Sequence, residues 1–366
     1  MRILYLSKAL VVGAYQRKIE ELADLGLDIH LAVPPAWRDE RGIQPLELAH
    51  TRGYTLWQVP MLFNGSYHLH FYPRLGDLLD AVRPDLLHID EEPYNLATAH
   101  AAWLTVQRGI PFLFFTWQNL LRHYPPPFAF MERFVYRHAS AAIAGNRDAA
   151  HVLRRKGFTG RIEVIPQFGV DPNLFSPAPE QAQRPFTIGY AGRFVPEKGL
   201  LVLLDALAHL GGEWRFIGRG SGPLLETLRQ RTAELGLSAR VTWEPPVPST
   251  QMSAFYRALD VLVLPSLSRP NWVEQFGRVL IEAMACGVPP IGSNSGEIPH
   301  VIGDAGLVVP EGDAAALRDA LHRLMTTPDL HAALRQRARE RVLAHFTQAQ
   351  IARRTAEVYK QILAAP

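Results

Sequence analysis

Cysteine is almost missing from this 366-residue chain, where Cys286 stands alone. One thiol cannot close an intrachain disulfide or build a zinc site by itself, so no metal framework is expected and a reducing cytosol is the expected compartment. Lysine is scarce as well. Five lysines (Lys8, Lys18, Lys156, Lys198, Lys360) stand among 38 basic residues, against 35 acidic ones, and the net charge of +3 is too small an excess for a nucleic-acid binder. There is no run of 18 apolar residues and no low-complexity tract, which excludes a membrane-spanning helix, collagen, a coiled coil and a disordered chain. Met1-Arg2 passes straight into Ile3-Leu4-Tyr5-Leu6, which reads as a strand and lacks the long apolar region and small-residue cleavage site of a signal peptide. The expectation is a soluble protein, at most peripheral to a membrane.

What is present is ordinary globular composition, 48% hydrophobic and 20% charged, in a length that allows about two domains. Short apolar runs alternate with amphipathic stretches: Arg2 to Leu6, Gln16 to Leu25, Asp28 to Val33, Leu75 to Val82, Leu86 to Ile89, Leu96 to Arg108, Pro111 to Thr116. This rhythm means a parallel sheet with helices on both faces. It restarts after the polar segment Ser176 to Arg184 with a strand at Phe186 to Tyr190 and runs on through a strand at Pro290 to Gly292. Two doubly wound α/β domains are expected, divided as 1–172 and 173–347, with a join near residues 170 to 184. In such sheets the ligand lies beyond the carboxyl ends of the strands, and functional residues belong in the loops there. Two such domains would create a cleft between them.

The densest constellation is Glu274-Gln275-Phe276-Gly277-Arg278-Val279-Leu280-Ile281-Glu282, followed by Gly287-Val288-Pro289. Gly277 stands where a loop becomes a helix, and the unpaired N–H groups of that first turn can hold a phosphate. Helical side chains lean toward the N-terminus, so the Glu282 carboxylate reaches back toward whatever is held there. Glu274 precedes the helix on the loop. Two acceptor-only carboxylates bracketing an anion site suit a phosphate flanked by hydroxyl-bearing rings, as in a nucleotide sugar. Read blandly, both are solvated acids at a helix end. A second constellation, Gly192-Arg193-Phe194-Val195-Pro196-Glu197-Lys198-Gly199, follows a strand directly. There Arg193 and Lys198 form either an ordinary basic loop or a pair of fixed cations able to neutralise a leaving diphosphate without a metal.

Together with Phe216-Ile217-Gly218-Arg219-Gly220 and Asp260 to Ser266, these residues resemble the motifs of family four of the retaining glycosyltransferases, which have the GT-B fold of two Rossmann-like domains facing a cleft. The resemblance implies transfer of a sugar from a nucleotide-diphosphate sugar (UDP- or GDP-sugar) with retention at the anomeric carbon. The acceptor would be a hydroxyl on a glycan, a lipid-linked or a small molecule. It also implies that Arg193 and Lys198 bind the donor diphosphate, Glu274 the sugar hydroxyls and Glu282 the ribose. The backbone of Gln275, Phe276 and Gly277, with Arg278 and Val279 beside it, would line sugar and phosphate. Gly192, Gly218 and Arg219 would lie close to the phosphates, and Pro245 to Val247 against the nucleobase. A closing helix, 348–366, would cross back to the first domain. No dedicated protein nucleophile is needed, since a donor phosphate oxygen would help to take the acceptor's proton, and no metal or other cofactor is expected.

The first half departs from that pattern. Its first loop, Leu10-Val11-Val12-Gly13-Ala14-Tyr15, carries a single glycine, Gly13, where relatives have two. After the strand ending at Thr116, Gln118, followed by Asn119, stands where many relatives have a histidine; glutamine cannot shuttle a proton. In His88-Ile89-Asp90-Glu91-Glu92 the acids are placed either to read acceptor hydroxyls or to cap the next helix, and no aspartate-x-aspartate metal motif is present. Lys8 reads as a surface lysine. Tyr124 to Met131 reads as a rigid turn before an amphipathic helix, with an acceptor platform or a membrane-touching edge as the other reading. Two further functions remain open at this level: a sugar-nucleotide epimerase of similar fold, and a nucleotide-sugar-binding protein without catalysis.

Overall fold

The computed structural model describes residues 1–39, 42–178 and 184–364. The chain divides into two compact units, Met1–Gly169 with Gln348–Pro366, and Val170–Thr347. Part of the expected join, residues 179–183, lies outside the described residues.

In chain order the first unit has strands β1 (Arg2–Leu6), β2 (Asp28–Val33), β3 (Ala36–Asp39), β4 (Gly42–Pro45), β5 (Thr55–Gln58), β6 (Leu86–Ile89), β7 (Phe112–Thr116), β8 (Ala141–Ala144) and β9 (Arg161–Val164). Its helices are α1 (Arg17–Asp24), α2 (Leu75–Val82), α3 (Leu96–Arg108), α4 (Phe128–His138) and α5 (Arg147–Arg155). Seven strands make one parallel sheet in the order β5-β2-β1-β6-β7-β8-β9, while β3 and β4 pair as an antiparallel hairpin. Alternation along the strands explains why the central ones are apolar throughout. Leu4, Leu6, Leu87, Phe112 and Phe114 enter one core, and Ile3, Tyr5, Leu86, Leu113 and Phe115 enter the core on the other face. The sequence reading passed over β5, β8, β9 and the hairpin. β5 and β9 are partly exposed edges with mixed composition, and β8 is a short run of alanines, so none announces itself by apolar periodicity.

The second unit has β10 (Phe186–Arg193), β11 (Trp214–Ser221), β12 (Val241–Glu244), β13 (Val261–Leu264), β14 (Pro290–Ser293) and β15 (Leu307–Val309). They form one parallel sheet in the order β12-β11-β10-β13-β14-β15. Its helices are α6 (Leu200–Ala208), α7 (Leu225–Glu234), α8 (Met252–Arg257), α9 (Arg278–Ala285), α10 (Ile298–Ile302), α11 (Ala314–Thr326) and α12 (Pro328–His345). The closing helix α13 (Gln348–Ala364) belongs to the first unit, where it packs on α1 and buries Ile351, Ala356, Val358 and Tyr359.

Both strand orders reverse direction at one place. The first unit's chain runs outward from β1 and returns on the other side at β6, and the second does the same between β10 and β13. At such a switch point neighbouring loops leave in opposite directions, opening a crevice at the carboxyl ends of the strands. Among the described residues no helix is long and apolar enough to cross a membrane.

Candidate functional site

The switch point of the second unit gathers most of the singled-out residues. After β10 the chain turns through Gly199, whose φ of +67° and position beside β13 admit no side chain: a Cβ would fall 1.9 Å from the Pro265 carbonyl oxygen. The Leu267 N–H donates to the Glu197 carbonyl at 2.8 Å, tying the same two loops. This closeness lets Lys198 Nζ donate to Glu274 Oε2 at 2.5 Å, while Ser266 Oγ donates to that oxygen at 2.8 Å. The Trp272 ring lies 4.8 Å beneath the ammonium and adds a cation–π contact. Lys198 is therefore fixed by Glu274 and Trp272, and Ser266 holds Glu274 in turn. Arg193 contrasts with it: its side chain is 64% exposed and its nearest acid, Glu197, is 3.8 Å away.

Gly277 caps α9 in the left-handed region, φ +74°, and a Cβ there would sit 2.8 Å from Leu264. Only glycine lets the loop enter the helix against β13, and no side chain caps the first turn of α9. Phe276 is buried against Phe346, ring centroids 5.9 Å apart, whereas Gln275 is exposed and Arg278 and Val279 are half-buried. Glu282, one turn on, accepts from Arg278 Nε at 2.8 Å and from Tyr256 Oη at 2.7 Å. Burial and the Glu282 charge push the Tyr256 phenol far up, so it remains a neutral donor. Gly192 and Gly218 occupy neighbouring strands in register with Gly220 and Tyr190. A Cβ on Gly218 would strike the Trp243 ring at 2.5 Å. Arg219 pairs with Glu244 and lies 5.1 Å over Phe255, and Val247 is half-buried in the loop after β12. Cys286 is buried with its thiol pushed up to about 12 by burial, which makes it inert.

At the switch point of the first unit the charges turn inward. Glu91, 2% exposed, pairs with Lys8, accepts from Tyr72 Oη at 3.3 Å and has His70 Nε2 3.4 Å away. Burial raises its pKa, but Lys8 and His70 more than offset this and hold it at about 2. Asp90 accepts from Ser7 Oγ at 2.6 Å and from Gln167 Nε2 at 3.0 Å, and burial pushes its pKa up. Asp90 and Glu91, expected to meet acceptor hydroxyls, are thus turned to partners within their own unit, and Lys8 is no surface lysine. Glu92 differs from both. It accepts from Thr116 Oγ1 at 2.6 Å and from the Trp117 N–H at 2.8 Å, joining the ends of β6 and β7, and burial pushes it up to about 7.

Gln118 is buried, donating to Tyr124 Oη at 3.3 Å and accepting from Lys156 Nζ at 3.2 Å; Asn119 is half-buried beside it. The Gly13 N–H is already taken by Glu47 Oε2 at 2.8 Å, and a Cβ there would meet Ala49 at 2.7 Å, so this glycine serves packing of its own loop. Sequence reasoning also overlooked Lys18, 1% exposed, which donates to Tyr5 Oη at 3.1 Å and to the Gln167 carbonyl at 3.2 Å. Burial lowers its pKa to about 8, against the pull of Asp90. Its place on an amphipathic helix gave no sign of burial. Among the described residues no group of three or more His, Cys, Asp or Glu side chains is arranged to hold a metal ion.

Two family models match in tandem, a glycosyl transferase 4-like domain over residues 12–167 and glycosyl transferases group 1 over residues 174–341. The chain belongs to family four of the glycosyltransferases. This family-four chain is similar to the D-inositol 3-phosphate glycosyltransferase of Streptomyces bingchenggensis, 32% identical over 52% of the chain and 46% of the relative. It is likewise similar to a GDP-mannose-dependent alpha-(1-6)-phosphatidylinositol monomannoside mannosyltransferase of Mycolicibacterium smegmatis, 31% identical over 49% of the chain and 50% of the relative. The chain spans about half the length of the curated relatives it matches. Among solved structures, sucrose-phosphate synthase from Thermosynechococcus elongatus superposes over 100% of both chains with a TM-score of 0.74 at 22% identity. The fold is that of the GT-B glycosyltransferases, as the motifs implied.

Proposed function

We propose that the protein transfers a sugar from a nucleoside-diphosphate sugar to a hydroxyl acceptor, with retention at the anomeric carbon and without a metal ion. The observation that carries this reading is Lys198, fixed by Glu274 and Trp272 beside the open first turn of α9, with the exposed Arg193 on the same loop. A diphosphate at that helix start meets the positive end of the helix, the fixed Lys198 and the open Arg193, which together stabilise the charge that develops as the sugar leaves. The acceptor oxygen bonds to the anomeric carbon, the bond from that carbon to the diphosphate oxygen breaks, and its electron pair stays with the phosphate. The acceptor proton passes to a phosphate oxygen, in keeping with a Gln118 that cannot shuttle one. Glu274 holds Lys198 and takes sugar hydroxyls on its remaining lone pairs; Glu282, oriented by Arg278 and Tyr256, takes the ribose.

The names of the relatives, which include a GDP-mannose-dependent mannosyltransferase acting on a phosphatidylinositol glycolipid, support a role in glycolipid or glycan assembly. Phe130, Arg133 and Arg137 are exposed at helical spacing on α4, which supports contact of that face with a lipid-linked acceptor at an anionic membrane. The test is incubation with nucleotide sugars, with and without acceptor, in chelator. Transfer that needs acceptor, preserves the anomeric configuration and persists in chelator is expected. Conversion of the donor sugar without acceptor would mean an epimerase instead, and loss in chelator restored by a divalent cation would overturn metal independence.

A further inference from the structure

Arg219 and Glu244 are direct cross-strand partners, the latter being the last residue of β12 before the Pro245 to Val247 loop. Their side chains pair at the carboxyl edge of the sheet, 18% and 32% exposed. The pair is incompletely used: Arg219 Nε is buried without a hydrogen-bond partner, and Glu244 Oε1 takes no hydrogen bond among the described residues. From Glu282, the carboxylate proposed for the ribose, a chain of packed side chains leads there. Tyr256 donates to Glu282 at 2.7 Å, Phe255 lies 5.5 Å from Tyr256 ring to ring, and the Arg219 guanidinium rests 5.1 Å over Phe255. A nucleoside whose ribose meets Glu282 and whose base lies against the Pro245 to Val247 loop, as the donor-site reading has it, meets a donor and an acceptor side by side where that loop begins.

We propose that the Arg219–Glu244 pair selects guanine, so that the donor is a guanosine-diphosphate sugar. This rests on the donor-site reading given above. The pairing edge of guanine presents an acceptor, O6, followed by two donors, N1–H and N2–H2. A guanidinium facing O6 and a carboxylate facing N1–H and N2–H2 satisfy that row. Uracil presents acceptor, donor, acceptor, which sets its O2 against the carboxylate, and adenine presents a donor where the guanidinium already donates. A site built to hydrogen-bond an N–H group rejects an analogue lacking it because its own buried polar atoms go unpaired.

Calorimetric titration of the full chain with GDP, UDP and ADP tests this. GDP is expected to bind roughly tenfold or more tighter than UDP and ADP. Glu244→Gln, whose amide repels the guanine donors, is expected to bring GDP to the UDP level. UDP binding as tightly as GDP would overturn guanine selection while leaving the donor site standing, as would a GDP preference that survives in both Glu244→Gln and Glu244→Ala. Failure of GDP and UDP alike to bind would overturn the donor site and this inference together. If the variants do not fold, as judged by their melting, the ranking of the three nucleotides by the unaltered chain decides the question alone.

Discussion

At the β10/β13 switch point the cation Lys198 is held at the edge of the sheet with Arg193 open beside it, whereas at the β1/β6 switch point Lys8 is drawn inward onto the buried Glu91. The strand topology around both crevices is alike, with one central pair flanked by strands running away on either side. The two lysines are about equally exposed, 16% for Lys8 and 15% for Lys198; the difference is that Glu91 is wholly enclosed, whereas the open Arg193 stands on the same loop as Lys198. An open cation beside a fixed one can meet an incoming anion at little reorganisation, while a carboxylate enclosed with its lysine is committed to the fold. Doubly wound sheets thus supply two crevices in this chain, and the side chains after the strands set them apart; on the proposed donor-site reading the second takes the phosphate.

The comparison can be broken at several points. Lys198→Ala is expected to lower the transfer rate by roughly 100- to 1000-fold in a variant that still unfolds cooperatively, measured by steady-state kinetics and calorimetry. A loss of folding in place of activity would erase the distinction between the two sites. Lys8→Met is expected to do the reverse. Leaving Glu91 buried without its lysine destabilises the first unit by about 3–5 kcal/mol, read from denaturant unfolding. Survival of full stability would show that Glu91 is not committed inward.

Glu91 and Glu92 sharpen the contrast through pH. Glu91 is held at about 2, below its ordinary 4.5, so its contribution to stability is present above pH 4.5 and is lost as pH falls toward 2. Glu92, raised from 4.5 to about 7, behaves oppositely: folding favours its protonated form, and stability falls as pH rises from about 4.5 through 7. Glu92→Gln is expected to flatten the stability profile in that window and to gain roughly 2–3 kcal/mol above pH 7. A profile unchanged by the substitution would remove Glu92 from the titrating groups. The smallest effect belongs to Cys286: at pH 8 in the native state an aromatic disulfide reagent is expected to leave it unmodified, and prompt labelling would contradict its burial.

The second unit was largely legible in the sequence because its site is local. Gly277, Glu274 and Glu282 fall within nine residues, and Lys198 is marked by the glycine after it, so the spacing along the chain already groups the candidate residues. The role of Trp272 beneath Lys198 was not legible, since a tryptophan two residues before Glu274 gives no sign of the lysine it will face. In the first unit the decisive contacts join residues far apart in sequence: Lys8 with Glu91, Ser7 with Asp90, Gln167 with Asp90. Three adjacent acids look equivalent on paper. Only folding gives one a lysine, one a serine and a glutamine, and one a threonine and a backbone amide, and so separates their proton affinities.

The return of α13 to the first unit has a consequence for synthesis. The ring of Tyr359 sits beside His88 and Tyr5, its hydroxyl 2.6 Å from His88 Nδ1, and α13 covers α1. A ribosome makes Tyr359 only after all of residues 170–347 have been added. The place it will take beside His88 and Tyr5 is therefore not covered by α13 while the whole second unit is translated. The second unit, formed from one uninterrupted stretch, is able to finish first, and the first-born half of the protein is the last to close.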